Sequence, residues 1–279
     1  TVCEIPPNGH GIVALMTLNI INKLSMQGGS HDNEATIHKQ LEALKQAFID
    51  GMTYVADPRY MKKTNVEFLL SDKYAEMRAK EIGEQALTPK PCNPDCGGTV
   101  YMCAADGEGN MISYIQSNYK GFGSGIVIPG YGISLNDRAC GFVLDPDSDD
   151  YLVPGKKPYH TIIPGFLMKD GKAVGPFGVM GGYMQPQGHV QVIMNMIDFG
   201  MNPQDALNAP RWQWIGGKKV EIEPGFQPEI AEALLKRGHE IKIQEDFTSF
   251  GRGQIILRDE NGVLTGATEP RTDGCVATW

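Results

Sequence analysis

Apolar side chains recur at helical spacing in the first third of the chain and alternate in pairs further on. Ile12, Leu15, Met16, Ile20 and Leu24 predict a helix within residues 10–25. Ile37, Leu41, Leu44, Phe48 and Met52 form the stripe of a second helix, with Asn33 as its N-cap and Asp57-Pro58 closing it. Ser71 opens a third, over 71–82. After residue 99 the period shortens. Residues 99–105 and 111–118 flank the loop Asp106-Gly107-Glu108-Gly109-Asn110, a hairpin signal, and 159–168 and 172–179 flank Lys169-Asp170-Gly171, a second one. Helices follow over 186–198, 203–207 and 227–236, and strands over 220–223, 240–244, 253–258 and 263–267. Helices first, then strands mixed with helices around hairpins, predict an α+β fold with antiparallel sheets covered by helices.

One internal break interrupts the pattern. Pro89, Pro91, Pro94, Gly97 and Gly98 form an exposed, extended linker between the helical and strand-rich parts. The chain has 279 residues, enough for a large core, and opens on Thr1 with a segment that reads as a strand entered midway, as in a piece of a longer protein. Net charge is −8 without clustered Lys and Arg, which argues against nucleic acid as a partner. No apolar run approaches the roughly 20 residues that span a bilayer, so no membrane partner is expected. Of the six cysteines, Cys92 and Cys96 offer half a metal site or a small disulfide loop; without a second ligand pair nearby, reduced thiols and no metal are expected. The compartment is nearly unreadable, the cytoplasm being slightly favoured, and the oligomeric state is open, a homo-oligomer included.

The linker ends on Gly97-Gly98-Thr99, where a hydroxyl begins a strand. An internal threonine is a poor nucleophile. If the Gly98–Thr99 bond is cut, the freed α-amine, with a pKa of roughly 8, becomes the base for the hydroxyl of its own residue. The alternative is a flexible turn feeding a strand. The hairpin spacing pairs residue 99 with 117 or 118, which brings Ser117 within reach of the Thr99 hydroxyl. Gly181-Gly182, after an apolar strand and before a helix, can supply backbone N–H groups to an oxyanion. His10, His31, His38, His189 and His239 read as surface or capping residues. His160, inside Lys157-Pro158-Tyr159-His160-Thr161-Ile162-Ile163-Pro164, is the better site candidate.

The order of motifs over nearly the whole chain resembles the gamma-glutamyltransferase family of N-terminal-nucleophile hydrolases. It runs from Pro6-Pro7 and Gly9 to Ile12, through Asp57-Pro58, Thr99 with Asp106 to Asn110, Phe122 to Gly125, and Gly132 to Asn136. It continues through Lys156 to Pro164, Gly181-Gly182, Ala209-Pro210-Arg211 and Glu269-Pro270-Arg271. The resemblance implies a four-layer αββα sandwich and self-cleavage between Gly98 and Thr99. Residues 1–98 would then be the C-terminal part of a large-subunit region, and 99–279 the small, catalytic one. Together with a missing N-terminal segment of the large subunit they would form one structural domain. The resemblance also makes Thr99 the nucleophile, Ser117 its supporting hydroxyl, and Gly181 and Gly182 the oxyanion hole. No metal or organic cofactor is required.

Departures from the family pattern point to the substrate. Gly141 stands where glutamyl-specific members carry an aspartate for the substrate amine; Tyr119 replaces an asparagine, Arg138 a glutamine, and His160-Thr161 a Ser-Ser pair. Tyr119, Arg138, His160 and Thr161 are the expected acyl-pocket residues, with Arg138 and His160 favouring an anion. The resemblance is to the acylase-like, oxamate amidohydrolase-like branch. It implies hydrolysis of a small carboxylate-bearing amide through an acyl-enzyme. The alternatives are a true gamma-glutamyltransferase and an inert, unprocessed fragment.

Overall fold

The computed structural model describes residues 1–26, 28–89 and 98–279. Strand β1 (Val2–Cys3) precedes α1 (Gly11–Ile21) and α2 (Glu34–Tyr54). The Asn33 side chain accepts from Thr36 N at 3.0 Å, satisfying one of the free N–H groups at the start of α2. Asp57 then holds Arg59 through both backbone and side-chain N–H groups, and these bonds keep its carboxyl well below the usual carboxylate range. A short α3 (Val66–Leu69), not anticipated from the sequence, leads into α4 (Asp72–Ala79), capped by Ser71 Oγ on Tyr74 N. Helix α4 ends three residues earlier than its expected limit, in a tighter turn from Arg78 to Glu81 and Ala79 to Ile82.

Helix α2 is surrounded rather than amphipathic. Its apolar residues Ile37, Leu41, Leu44 and Phe48 enter the main core with α1, α4 and Trp212, Trp214 and Val220, while Met52 is 39% exposed. Many of its polar residues are buried too, and their side chains find partners. Asp50 accepts from Tyr74 at 2.6 Å and from Arg78 at 2.8 Å, and Lys45 donates to Glu42 at 2.7 Å.

The hairpin β2 (Gly98–Ala105) and β3 (Met111–Tyr119) turns where the glycine-rich loop was read. Two short strands follow, β4 (Val127–Ile128) and β5 (Ile133–Ser134), paired with each other. Next come β6 (Gly165–Lys169), β7 (Lys172–Met180), α5 (Met184–Ile197) and α6 (Pro203–Asn208). The chain continues with β8 (Trp212–Gly216), β9 (Lys219–Ile222), α7 (Pro228–Lys236), β10 (Glu240–Ile243), β11 (Arg252–Arg258) and β12 (Leu264–Thr268).

These strands build a five-stranded antiparallel sheet of order β1-β6-β7-β11-β12 and a three-stranded sheet of order β10-β9-β8. The second sheet is mixed, its β8–β9 pair antiparallel. β9 and β10 are parallel, because α7 carries the chain back to the same end before β10 begins. The first strand of the second hairpin is also shorter than its pattern. Residues 159–164 run beside the start of α1, where His160 N bonds Asn8 O and His10 N bonds His160 O, and β6 begins only after Pro164. Strand β8 was not anticipated.

The molecule is an α+β sandwich. On one face of the five-stranded sheet, α5 and α6 bury Val192, Ile193, Met196, Ala206 and Leu207 against Leu167, Phe177, Val179 and Ile255. The hairpin β2–β3 covers the other face. Tyr101 lies flat on Gly178, where a Cβ would come within 2.5 Å of the ring, so glycine sets how closely the layers approach. Alternation along the hairpin buries Thr99, Tyr101 and Ile115 inward and leaves Val100, Met102, Ile112 and Tyr114 exposed outward.

Candidate active site

Thr99 is the second residue of β2, on the buried face of the hairpin and 3% exposed. It pairs with Ser117, and its hydroxyl donates to Ser117 Oγ at 2.9 Å. The next pair is Gly98 with Tyr119, so Asn118 is an extra residue opposite the Gly98–Thr99 peptide. This bulge turns Tyr119 into the left-handed region, φ +76°, a conformation costly for a bulky side chain. Strain and the candidate scissile bond therefore coincide.

Ser117 Oγ is a hub. Besides Thr99 it accepts from Tyr119 N at 3.0 Å and from Arg138 Nη2 at 3.2 Å. Arg138 comes from a 3-10 turn, Arg138–Gly141, with Asn136 Oδ1 accepting from its backbone N–H. Its guanidinium stacks over the Tyr119 ring at 4.0 Å and donates to Thr161 Oγ1 at 2.7 Å. Arg138 is 3% exposed, no carboxylate among the described residues pairs with it, and its Nε is buried without a partner. Burial lowers its pKa, yet a guanidinium remains charged. A buried, uncompensated cation is costly to the fold and ready for an anion.

A cavity of about 180 Å³ opens beside it, lined by residues that include Tyr119, Arg138, Gly141, Asp150, Thr161 and Tyr183. Gly181 and Gly182 lie in the turn between β7 and α5, with φ of +142° and +57°. Their carbonyls accept from Met184 N and Gln185 N, fixing both peptide planes, and a Cβ on Gly181 would lie 3.0 Å from Gly251 Cα. Tyr183, next in sequence, reaches the cavity. Thr99, Ser117, His160 and the two glycines are not in its lining; Ser117 connects Thr99 to it through Arg138.

His160 corrects one expectation. Burial, and then the Arg138 charge, lower its pKa to about 4, so the imidazole is neutral near pH 7 and adds no positive charge for an anion. Its Nδ1 accepts from Ile162 N at 3.3 Å, and its main chain ties the segment to residues 8–10. The other histidines correct a second. His10, His38, His189 and His239 are buried, not on the surface. His189 Nε2 accepts from Val179 N, so Nδ1 carries the proton toward Glu4 at 2.6 Å. His10 lies behind the cavity wall, its ring edge-on to Tyr159 and Tyr183 at 5.7 and 5.8 Å, and burial and Arg138 push its pKa far down.

Among the described residues, one group of side chains has metal-ligand character: His38, Glu42 and His239. Lys45 already donates to Glu42, and His38 Nδ1 and His239 Nε2 share a hydrogen bond of 2.8 Å. With His38 Nε2 on Gly83 O, the group closes as a satisfied hydrogen-bond network around an ammonium, a poor host for a second cation. Cys3, Cys103, Cys140 and Cys275 are free thiols, and burial pushes Cys103 up to about 11. The Cys92 and Cys96 pair lies outside the described residues.

The motif order and the placement of Thr99 at a strand start agree with a match of residues 1–279 to the family model for gamma-glutamyltranspeptidase. The chain belongs to the gamma-glutamyltranspeptidase family. Within that family it is 35% identical over 280 residues to the glutathione hydrolase-like YwrD proenzyme of Bacillus subtilis, covering 98% of this chain and 53% of that protein. It is 33% identical over 285 residues to the oxamate amidohydrolase proenzyme of Klebsiella pneumoniae, covering 100% and 53%. The fold superposes on the crystal structure of cephalosporin acylase from Bacillus halodurans with a TM-score of 0.93 and 60% identity, over 100% of this chain and 51% of that one. The chain thus spans about half the length of the gamma-glutamyltranspeptidase relatives it matches.

The sequence reading missed Asp150, Tyr159 and Tyr183 in the cavity and His10 behind it. Asp150 sits in the acidic run 145–150, which reads as solvated surface. His10, between Gly9 and Gly11 and ahead of an apolar helix, carried the one available signal, since two flanking glycines permit close packing.

Proposed function

We propose that the full-length protein is a self-processing threonine-nucleophile amide hydrolase acting on a small amide that bears a carboxylate. The observation that carries this reading is the 2.9 Å bond between Thr99 Oγ1 and Ser117 Oγ beside the strained bulge at Gly98–Thr99. In processing, Thr99 Oγ attacks the Gly98 carbonyl carbon, and the resulting ester is hydrolysed by water. The products are the Gly98 carboxylate and a free Thr99 amine. That amine, pKa roughly 8, takes the hydroxyl proton when Oγ attacks the substrate amide and returns it to the departing amine. The Gly181 and Gly182 N–H groups stabilise the tetrahedral oxyanion, and water releases the acid from the acyl-enzyme.

Arg138 supports the choice of an anionic substrate. A carboxylate entering the cavity gives a buried guanidinium its missing counter-charge, a contact worth roughly 1.5–3 kcal/mol. Tyr119 and Thr161 hold the guanidinium in place. The whole reading is of the longer protein, since this chain spans about half the length of its relatives. The inert reading is favoured by a single fact: while Gly98 and Thr99 remain joined, the amine is an amide nitrogen and cannot act as base.

The test is a panel of small amides, including oxamate and glutaryl and gamma-glutamyl anilides, offered to the full-length protein with rapid-quench mass analysis. The peptide beginning at Thr99 should gain the acyl mass transiently. An acyl group on any other residue, or turnover unchanged in Thr99→Ala, would rule out this nucleophile.

A further inference from the structure

Strand β7 loses one neighbour just before the turn that carries Gly181 and Gly182. Its pairing with β6 runs from Lys172 to Phe177 and stops there, because residues 159–164 leave the sheet for residues 8–10. Past Phe177, among the described residues, β7 pairs only with β11, as far as Met180. Two side chains from the first turns of α5 fill the fork. Gln185 Oε1 accepts from Ile163 N at 3.2 Å on one arm, and His189 Nε2 accepts from Val179 N at 3.1 Å on the other. His189 Nδ1 donates in turn to Glu4 Oε1 at 2.6 Å, and the Glu4 side chain, between β1 and α1, is fully buried. Glycines let these segments converge. A Cβ at Gly188 would lie 2.6 Å from Val179 Cγ1, and one at Gly11 would lie 2.8 Å from Glu4 Cβ.

We infer that Glu4 and His189 are positioning residues that hold the end of β7, and with it the Gly181–Gly182 turn, in register with the arm that carries Thr161. This rests on the hydrolase reading above, in which the two glycines stabilise the oxyanion, and extends it to the side chains behind them. Each bond in the chain fixes the next. The Val179 N–H pointing at Nε2 requires the ring proton on Nδ1, and the Glu4 oxygen accepting from Nδ1 stops the imidazole from turning over. Val179 lies two residues ahead of Gly181. The carbonyls of Gly181 and Gly182 are held by Met184 N and Gln185 N, so α5 ties the turn on both sides. The opposite arm hangs on the same helix, since Ile163 bonds Gln185 and the neighbouring Thr161 accepts from Arg138. The pair is a poor stabiliser of the fold: burial raises the Glu4 pKa against the pull of His189, and Glu4 Oε2 is buried with no partner. Oxyanion donors have to be held within about 0.5 Å of the productive geometry. The charge they meet exists only in the transition state, so their displacement lowers kcat and leaves ground-state binding in place.

The experiment compares His189→Leu, which removes the acceptor, with His189→Gln, whose Oε1 replaces Nε2, in the full-length, processed protein. With a glutaryl anilide as probe, His189→Leu should lower kcat about ten- to hundredfold with KM within about threefold, as for a displaced oxyanion donor. His189→Gln should recover kcat to within about fivefold of wild type. Glu4→Leu should lower kcat too, and adding it to His189→Leu should change little, because one chain of bonds carries both effects. Hydrogen exchange of peptides covering 178–183, read by mass, should be at least about tenfold faster in His189→Leu and near wild type in His189→Gln. Unchanged kcat in His189→Leu, a rise in KM that accounts for the whole loss, no recovery in His189→Gln, or unchanged exchange would overturn the positioning role. Exchange needs no turnover, so it decides the matter even for a protein that leaves the anilide intact. Turnover that survives Thr99→Ala would remove the nucleophile reading and leave the exchange result standing.

Discussion

Replacing Ser117 by alanine removes one oxygen on which three donors converge. The Thr99 hydroxyl, the Tyr119 N–H and Arg138 Nη2 all point at Ser117 Oγ, at 2.9, 3.0 and 3.2 Å. Thr99 and Arg138 are each 3% exposed, so water cannot readily replace the lost acceptor. Leaving a buried donor unmet costs about 1–3 kcal/mol, more for a charged one; with the Tyr119 N–H partly accessible, the fold should lose about 2–4 kcal/mol. The Thr99 hydroxyl, the proposed nucleophile, loses its positioning bond at the same time. A bond of about 1.5–3 kcal/mol in the reacting arrangement corresponds to roughly a ten- to hundredfold slower Gly98–Thr99 cleavage. The assay is the disappearance of the full-length band after synthesis, beside urea unfolding of the cleavage-defective Thr99→Ala protein with and without Ser117→Ala. Ser117→Thr keeps the hydroxyl and should restore cleavage to within a few-fold. Cleavage by Ser117→Ala at the wild-type rate, or failure of Ser117→Thr to rescue, would refute the positioning role.

Gly178→Ala places a methyl 2.5 Å from the Tyr101 ring, which is 6% exposed and cannot swing away. Overpacking of about 1–3 kcal/mol should appear as a lower melting temperature, and an unchanged one would mean the hairpin is not held against β7 in this way. Stability should also fall on acidification. His239 is held neutral, its pKa lowered to about 3 by burial and then by Lys45, so between pH 6.5 and 3 the unfolded chain takes up a proton that the fold refuses. This amounts to about 1.4 kcal/mol per pH unit, with His160 adding in the same direction down to about pH 4. Asp150 acts oppositely, because its raised pKa costs stability above pH 6 and that cost is relieved below it. Urea midpoints at pH 7.5 and 5 check the balance: a flat or rising profile toward pH 5 would mean the histidines are not buried as neutral groups.

Local signals survived into the structure where local bonds make the element. Asn33 and Ser71 cap their helices through their own side chains, and the Asp106–Asn110 loop set the register that pairs Thr99 with Ser117. What failed was set by distant packing. Histidine burial depends on what covers the residue: His239 meets His38 from 201 positions away. Strand β8 is buried, and its WQWIG run shows no simple alternation. The parallel pairing of β10 follows from the α7 crossover rather than from the composition of either strand. The cavity combines Tyr119, Arg138, Asp150, Thr161 and Tyr183 from separate segments, so its acidic end was invisible until the loop of residues 142–151 was placed against the turn at Arg138. The family resemblance pointed to positions 99, 117, 138, 160 and 161; it could not indicate that burial and the Arg138 charge hold the His160 imidazole neutral.

The most direct measurement is the intact mass of freshly purified full-length protein, wild type beside Thr99→Ala. Two polypeptides divided between Gly98 and Thr99 in the wild type, and one undivided chain in Thr99→Ala, are predicted. An undivided wild-type chain that still hydrolyses amides, or division at the same bond in Thr99→Ala, would contradict the claim that the strand-initial threonine cuts its own backbone to free the catalytic amine.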